Sequence, residues 1–283
     1  MHGANHEFGD GLTPHAAVGR SIVRSLRSLY FIRPQLMLNV GQTASGVSPS
    51  MIISRTSPLL NLPSGLDRKQ RYFLEGIRLS IQLVDTSYRR LSSSIRDLPE
   101  NARPEFGTVP QLLLDAWGQV DATFRLRGLI EQMPRYRKKA PSKQVYLRAT
   151  ANVEALRNSL QHLNTDIDTL LSLDVPIMGA LTWLRPCARG TGTFLLESAI
   201  PGALAGSSPR SLVQLPSEAP TEVSCVTLWA AGTSADLTAI HAATARLATA
   251  LEGSLAKRFA SHPTDMADLL VGMELSVQDA ETP

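Results

Sequence analysis

Apolar residues recur every three or four positions from about residue 66 onward, and this periodicity restricts the fold more than any other feature of the sequence. Seven residues before Pro99 keep this spacing: Phe73, Ile77, Ile81, Val84, Tyr88, Leu91 and Ile95. Because an α-helix turns once in about 3.6 residues, residues at this spacing share one helix face. The pattern therefore predicts an amphipathic helix over residues 67–97.

Two further segments show the same periodicity. Leu113, Ala116, Val120 and Phe124 predict a helix over residues 109–133, which ends before Pro134. Ala149, Val153, Leu156, Leu160, Leu163, Ile167 and Leu170 predict a single helix over residues 143–172, with Ser142 as its N-cap. Short connections favour antiparallel packing in a bundle. A fourth helix is needed to cover the core, and either residues 236–259 or a second subunit would supply it.

The pattern changes after Val175 to short β-type runs separated by glycine, proline and serine. Strands are predicted at residues 177–184, 193–199 and 223–230, with a weaker candidate at 212–215. The expected fold class is therefore α+β: an antiparallel α-helical bundle with a small C-terminal α+β appendage. Four segments follow from this interpretation: an N-terminal segment (1–65), the bundle (66–173), a small sheet plus helix (174–261) and an acidic tail (262–283).

Residues 1–65 are expected to be poorly structured or extended. Two interpretations stay open for residues 1–50: they are structured, or they are an extension that results from a start codon assigned upstream of Met51. If this segment folds, residues 29–32 and 36–40 are short strand candidates.

Charge is distributed unevenly along the chain. Residues 66–173 contain 17 basic and 12 acidic residues, whereas residues 174–283 contain 6 basic and 11 acidic residues. A basic helical segment suits a polyanionic ligand, and an acidic one would repel it. No apolar run is long enough to span a membrane, so we expect a cytoplasmic protein without a membrane partner. The two cysteines, Cys187 and Cys225, match no metal-binding spacing, and no metal or cofactor is expected.

A short motif lies on the third predicted helix. Arg157 and Asn158 are followed by His162, and about 100° of rotation per residue directs all three away from the apolar stripe. An arginine, a polar residue and a histidine in this order resemble the signature of the HEPN superfamily of helical-bundle ribonucleases. The resemblance covers roughly residues 66–173.

The resemblance implies metal-independent RNA cleavage that leaves a 2′,3′-cyclic phosphate. In this interpretation His162 exchanges protons, Arg157 holds phosphate oxygens, and Asn158 orients the phosphate or the imidazole. Arg157 and His162 point in directions about 140° apart on one helix, so one copy of the motif does not easily hold a single phosphate. A homodimer, which is how the HEPN site is understood to be built, would bring two copies together.

Two weaker candidates accompany the motif. Glu75, on the first helix, is a possible accessory acid or base. Arg135, Arg137, Lys138 and Lys139 form the densest basic cluster, which either binds an RNA backbone, possibly that of a tRNA, or is a solvated charged turn.

Two functional classes therefore stay open. The first is a HEPN-like endoribonuclease that acts as a toxin or as a defence-system effector, with an antitoxin or another defence subunit as partner. The second is a non-catalytic HEPN-like interaction or dimerisation subunit of a larger assembly.

Overall fold

A computed structural model describes residues 51–100, 105–134, 136, 139–165, 167–172, 175–187, 193–202 and 220–259. The helices within these ranges are α1 (Arg68–Arg96), α2 (Thr108–Gln132), α3 (Pro141–Ala149), α4 (Val153–Gln161), α5 (Ile167–Ser172) and α6 (Leu237–Phe259). The strands are β1 (Ala180–Pro186), β2 (Phe194–Ala199), β3 (Ser224–Ala230) and β4 (Thr233–Asp236). The α+β class is thus confirmed.

Helix α1 begins with a capping box. The Asp67 carboxylate accepts from the Gln70 backbone N–H at 2.8 Å, and the Gln70 side chain accepts from the Asp67 N–H at 3.4 Å. These two bonds satisfy backbone donors that the first turn of a helix leaves without a partner. The helix ends at Arg96, three residues before Pro99, as the sequence predicts.

Helices α1 and α2 are antiparallel and approach each other closely at two glycines. A Cβ atom on Gly76 would lie 3.1 Å from the Leu129 side chain, and one on Gly118 would lie 3.3 Å from the Ser87 hydroxyl. Since the early part of α1 faces the late part of α2, the chain reverses direction between the helices. The predicted antiparallel arrangement of these two helices is confirmed.

The single helix predicted over residues 143–172 is wrong, because the chain forms α3, α4 and α5 instead. The first break follows Ala149, where Arg127 of α2 donates to the Leu147 carbonyl at 2.7 Å and to the Thr150 hydroxyl at 3.1 Å. A guanidinium that binds the last carbonyls stabilises a helix end. The apolar spacing continues across this break, so the pattern alone does not reveal it.

The four strands form one antiparallel sheet in the order β2-β1-β3-β4. Strands β1, β2 and β3 fall on the three predicted strands, whereas β4 was not predicted. The candidates at residues 29–32, 36–40 and 212–215 lie outside the described residues. Strand β4 is only four residues long, too short for a clear alternating pattern, and it leads directly into α6.

The sheet and the bundle share a core. Leu91 of α1, Leu112 of α2 and Leu228 of β3 belong to one buried cluster, so the expected boundary at residue 173 does not separate two cores. Arg185 of β1 strengthens this junction. Its guanidinium binds Glu197 of β2 through two bonds of 2.7 and 2.9 Å and donates to the Leu98 carbonyl after α1.

Helix α6 supplies the fourth helix of the bundle. Leu247 and Leu251 are buried in a second cluster with Ile77 of α1 and Leu126 of α2. This cluster also contains Leu59, which is fully buried. Residues 51–65, expected to be extended or poorly structured, therefore pack against the bundle.

Candidate functional site

The motif residues lie on α4 and at its C-terminal end. Asn158 and His162 are exposed, and the Arg157 side chain is 26% exposed. Val153 and Leu156 of the same helix are fully buried. The outward placement that the helical spacing predicts for Asn158 and His162 thus agrees with the structure, although α4 is much shorter than expected.

Contacts with α2 hold the Arg157 side chain in place. Its Nε atom lies 3.2 Å from Asp121 Oδ1, and its guanidinium carbon lies 4.3 Å from the centroid of the Phe124 ring. Nη1 donates to the Gln161 side chain at 2.9 Å. An ion pair and a cation–π contact on the same guanidinium fix its orientation more firmly than either contact alone. Arg157 therefore connects α4 to α2.

His162 is the C-cap of α4. Its backbone N–H donates to the Asn158 carbonyl at 3.0 Å, and its own carbonyl accepts from the Thr165 N–H at 2.9 Å and from the Thr165 hydroxyl at 2.8 Å. These bonds fix the backbone and leave the imidazole in solvent. Asp166, four residues after His162, lies outside the described residues.

Within one chain, the side chains of Arg157 and His162 lie in different surroundings. The Arg157 guanidinium lies against Asp121 and Phe124, whereas the His162 ring projects from the end of the helix. The structure places the two residues on one short helix without a described contact between their side chains. A single chain therefore presents an anchored guanidinium on α4 and an exposed imidazole at the C-terminal end of that helix.

The other predicted site residues lie elsewhere. Glu75 lines a depression near the start of α1 together with Arg68, Arg71 and Tyr72. Lys139 is exposed just before α3, and Arg135, Arg137 and Lys138 lie outside the described residues. Glu75 and the motif residues therefore have different described neighbours.

A second polar cluster, which the sequence did not indicate, links α1 to α6. His241 Nε2 lies 2.9 Å from Asp85 Oδ1, and the His241 ring stacks on Tyr88 with 4.3 Å between ring centroids. Tyr88 donates to the Thr238 hydroxyl at 3.1 Å, and burial raises the pKa of Tyr88. Asp85 also accepts from the Ile52 N–H at 3.1 Å. The residues of α1 and α6 that meet here are 150 or more positions apart, so no local spacing could have revealed this cluster.

Within the described ranges, no group of three or more His, Cys, Asp or Glu residues is arranged to hold a metal ion. None of the described helices combines the length and the apolar character needed to cross a membrane. Cys187 and Cys225 are both free and half-buried.

Comparisons with known proteins identify no relative. The chain matches no model of a known protein family, and neither the curated proteins nor the solved structures include a detectably similar protein.

Proposed function

We propose that the chain is a HEPN-like, metal-independent endoribonuclease that acts as a toxin or as a defence-system effector. The observation that supports this proposal best is the surface formed by Arg157, Asn158 and His162. It combines an anchored guanidinium with an exposed amide and an exposed imidazole on nine residues of helix and its cap. An antitoxin or another subunit of the defence system would restrain such an activity.

These three groups match the needs of RNA cleavage by the ribose 2′-hydroxyl. The 2′-oxygen attacks the adjacent phosphorus, the bond to the 5′-oxygen breaks, and a 2′,3′-cyclic phosphate and a 5′-hydroxyl result. One proton leaves the nucleophile and another reaches the leaving group, and histidine exchanges protons near neutral pH. A guanidinium stabilises the negative charge that develops on the phosphate. Asn158 would orient the phosphate or the imidazole by a hydrogen bond.

The proposed active form is a homodimer. Arg157 faces α2 and His162 projects from the end of α4, so the guanidinium of one copy and the imidazole of another would meet more readily than the pair in one chain. Ile167 and Leu171 of α5 are 43% and 66% exposed just beyond the motif. Exposed apolar side chains beside a polar site are typical of a surface that a second subunit covers.

The test is cleavage of total RNA in excess EDTA by the wild-type protein and by His162→Ala. We expect the substitution to reduce cleavage at least about 100-fold, since general acid–base catalysis contributes that much or more. Asn164→Ala is the matched control, because Asn164 is exposed in the turn that follows His162. Equal cleavage by the wild type and His162→Ala, or no cleavage by any of them, would contradict the enzymatic proposal.

The second candidate is a non-catalytic interaction subunit, which one observation favours. Arg157 already has a carboxylate, an aromatic ring and an amide as partners, which is sufficient to explain an arginine at this position as a structural residue. In that case His162→Ala and Arg157→Lys would leave partner binding and oligomeric state unchanged. Loss of cleavage in both variants, with folding and assembly retained, favours the endoribonuclease instead.

A further inference from the structure

A small apolar pocket lies at the end of the bundle where three parts of the chain meet. It is an open pocket with a cavity volume of about 70 Å³. The start of α1, the connection between α2 and α3, and the last turns of α6 contribute its principal apolar lining: Leu66, Leu74, Met133, Tyr136, Leu251 and Leu255. A cavity of this size is too small to enclose a ligand, but its apolar lining can receive the edge of one flat or apolar group.

Basic side chains surround this pocket. Arg258 of α6 lines it directly, and Arg68 and Arg71 line an adjoining depression that shares Leu66 with it. Lys139, three residues after Tyr136, is exposed at the start of α3. The rim is therefore complementary in charge to a polyanion.

The acidic residues here do not cancel this charge. Asp67 is occupied as the N-cap of α1, where its carboxylate accepts from the Gln70 backbone. Glu75 lies in the depression beside Arg68 and Arg71. One carboxylate therefore faces the two arginines.

Arg71 adds an observation that points to a ligand. Its Nε atom is buried and has no hydrogen-bond partner among the described residues. A buried donor without a partner is costly, and an anionic oxygen that enters the depression would satisfy it. Arg68 lies beside it, with its guanidinium carbon 5.7 Å from the Tyr72 ring centroid.

Tyr136 gives the pocket an aromatic wall. Its hydroxyl is 3.0 Å from the Ser142 hydroxyl, and the Lys143 ammonium lies 5.5 Å from its ring centroid. These contacts hold the ring in one orientation. An aromatic ring held in this way, next to positive charge, is the usual platform for an unpaired nucleobase.

We propose that this end of the bundle binds single-stranded RNA, with one base against Tyr136 at the mouth of the apolar pocket and phosphates on Arg68, Arg71 and Arg258. The inference rests on the proposed function, because it states that the RNA cleaved at the motif contains a single-stranded segment. Phe124, which contacts Arg157, precedes Met133 by nine residues on α2, or about 14 Å along the helix. One RNA strand would therefore extend from the pocket to the motif.

Binding is measured by fluorescence anisotropy with a labelled 12-nucleotide oligouridylate and with a duplex of equal length. The protein is the full chain with His162→Ala, so that cleavage does not consume the RNA. We expect the single strand to bind at least about tenfold more tightly than the duplex, because only an unpaired base can stack on Tyr136 at the mouth of the pocket. We also expect Tyr136→Leu to weaken binding about tenfold.

The charged rim is tested by two further substitutions and a control. Arg68→Ala with Arg258→Ala should weaken binding and lower the dependence of log Kd on log salt by about one for each phosphate that is no longer bound. Arg71→Met should weaken binding without lowering the melting temperature, because it removes an unsatisfied buried donor. Arg96→Ala is the matched control, since Arg96 is exposed at the opposite end of α1.

Three results would overturn the proposal: equal reductions of affinity in Arg96→Ala and the rim variants, equal binding of single strand and duplex, or no binding of RNA. In the last case, an acidic peptide with the sequence of residues 262–283 that binds and loses affinity in Arg258→Ala would assign this end to a protein ligand. If RNA binds as expected but wild-type protein cleaves nothing, the binding site stands and the proposed endoribonuclease activity fails.

Discussion

Removal of the Arg157 side chain should destabilise the protein, whereas removal of the His162 side chain should not. Arg157→Ala removes a partly exposed ion pair, worth about 0.2–1 kcal/mol, and a cation–π contact at 4.3 Å, worth about 0.5–1 kcal/mol. With the hydrogen bond to Gln161, the expected decrease in the free energy of unfolding is about 1–2 kcal/mol. His162→Ala removes an exposed ring and should change it by less than about 0.5 kcal/mol.

The assay is urea unfolding followed by tryptophan fluorescence, together with thermal melting. Each kcal/mol corresponds to roughly 2–4 °C in melting temperature for a domain of about this size. A double-mutant cycle between Arg157→Ala and Phe124→Leu isolates the ring contact and should give a coupling energy of about 0.5–1 kcal/mol.

A coupling energy near zero, or equal destabilisation by Arg157→Ala and His162→Ala, would refute this account of the site. The result also determines how activity data are interpreted. Loss of cleavage in Arg157→Ala is informative only at temperatures where the variant is fully folded, and Arg157→Lys is the companion variant that retains the charge.

Three further predictions follow from buried groups. Burial raises the pKa of Tyr146 far above its usual value of about 10. Above about pH 10 the unfolded chain therefore loses the Tyr146 hydroxyl proton while the folded chain keeps it, and the free energy of unfolding decreases as the pH rises. Tyr146→Phe should therefore reduce the alkaline loss of stability seen by urea unfolding above pH 10, at a cost of about 1 kcal/mol at neutral pH, and an unchanged slope would contradict this. Gly179→Ala should cost more than about 2 kcal/mol in thermal or urea unfolding, because Gly179 has a φ of 75° and a Cβ there would overlap the Trp229 carbonyl; a wild-type melting temperature would show the reasoning to be wrong. Asp85→Ala should cost about 2–3 kcal/mol in urea unfolding, since it leaves the Ile52 N–H and His241 without their acceptor, and a decrease below about 0.5 kcal/mol would exclude a stabilising role for this cluster.

The sequence predicted the elements whose limits are set locally. Helices α1 and α2 end near Pro99 and Pro134, and their apolar faces coincide with buried residues such as Ile77 and Val120. The break between α3 and α4 could not be predicted in this way. The apolar face continues from Ala149 to Val153, and the helix end is satisfied by Arg127, which is 20 residues away from the carbonyl it binds. Periodicity reports which side of a helix is buried, and it is insensitive to such long-range hydrogen bonds.

The same limit applies to the candidate site. The exposure of Asn158 and His162 follows from their angular position on a helix, which the sequence provides. The partners of Arg157 could not be predicted from the sequence. Asp121 and Phe124 are 36 and 33 residues away and become neighbours of Arg157 only when α4 packs on α2. The arginine to which the sequence interpretation assigns a phosphate is thus also a link between two helices.

The central claim is that Arg157 of one copy acts with His162 of another, and subunit complementation tests it most directly. Arg157→Lys and His162→Ala proteins are mixed, allowed to exchange subunits and assayed on RNA in excess EDTA. Each variant alone should be inactive, whereas about half of the dimers in an equal mixture contain both variants and one intact pair of residues. The mixture should therefore regain up to about a quarter of wild-type activity. A mixture as inactive as its components, beside an active wild-type protein and with subunit exchange demonstrated, would contradict the claim.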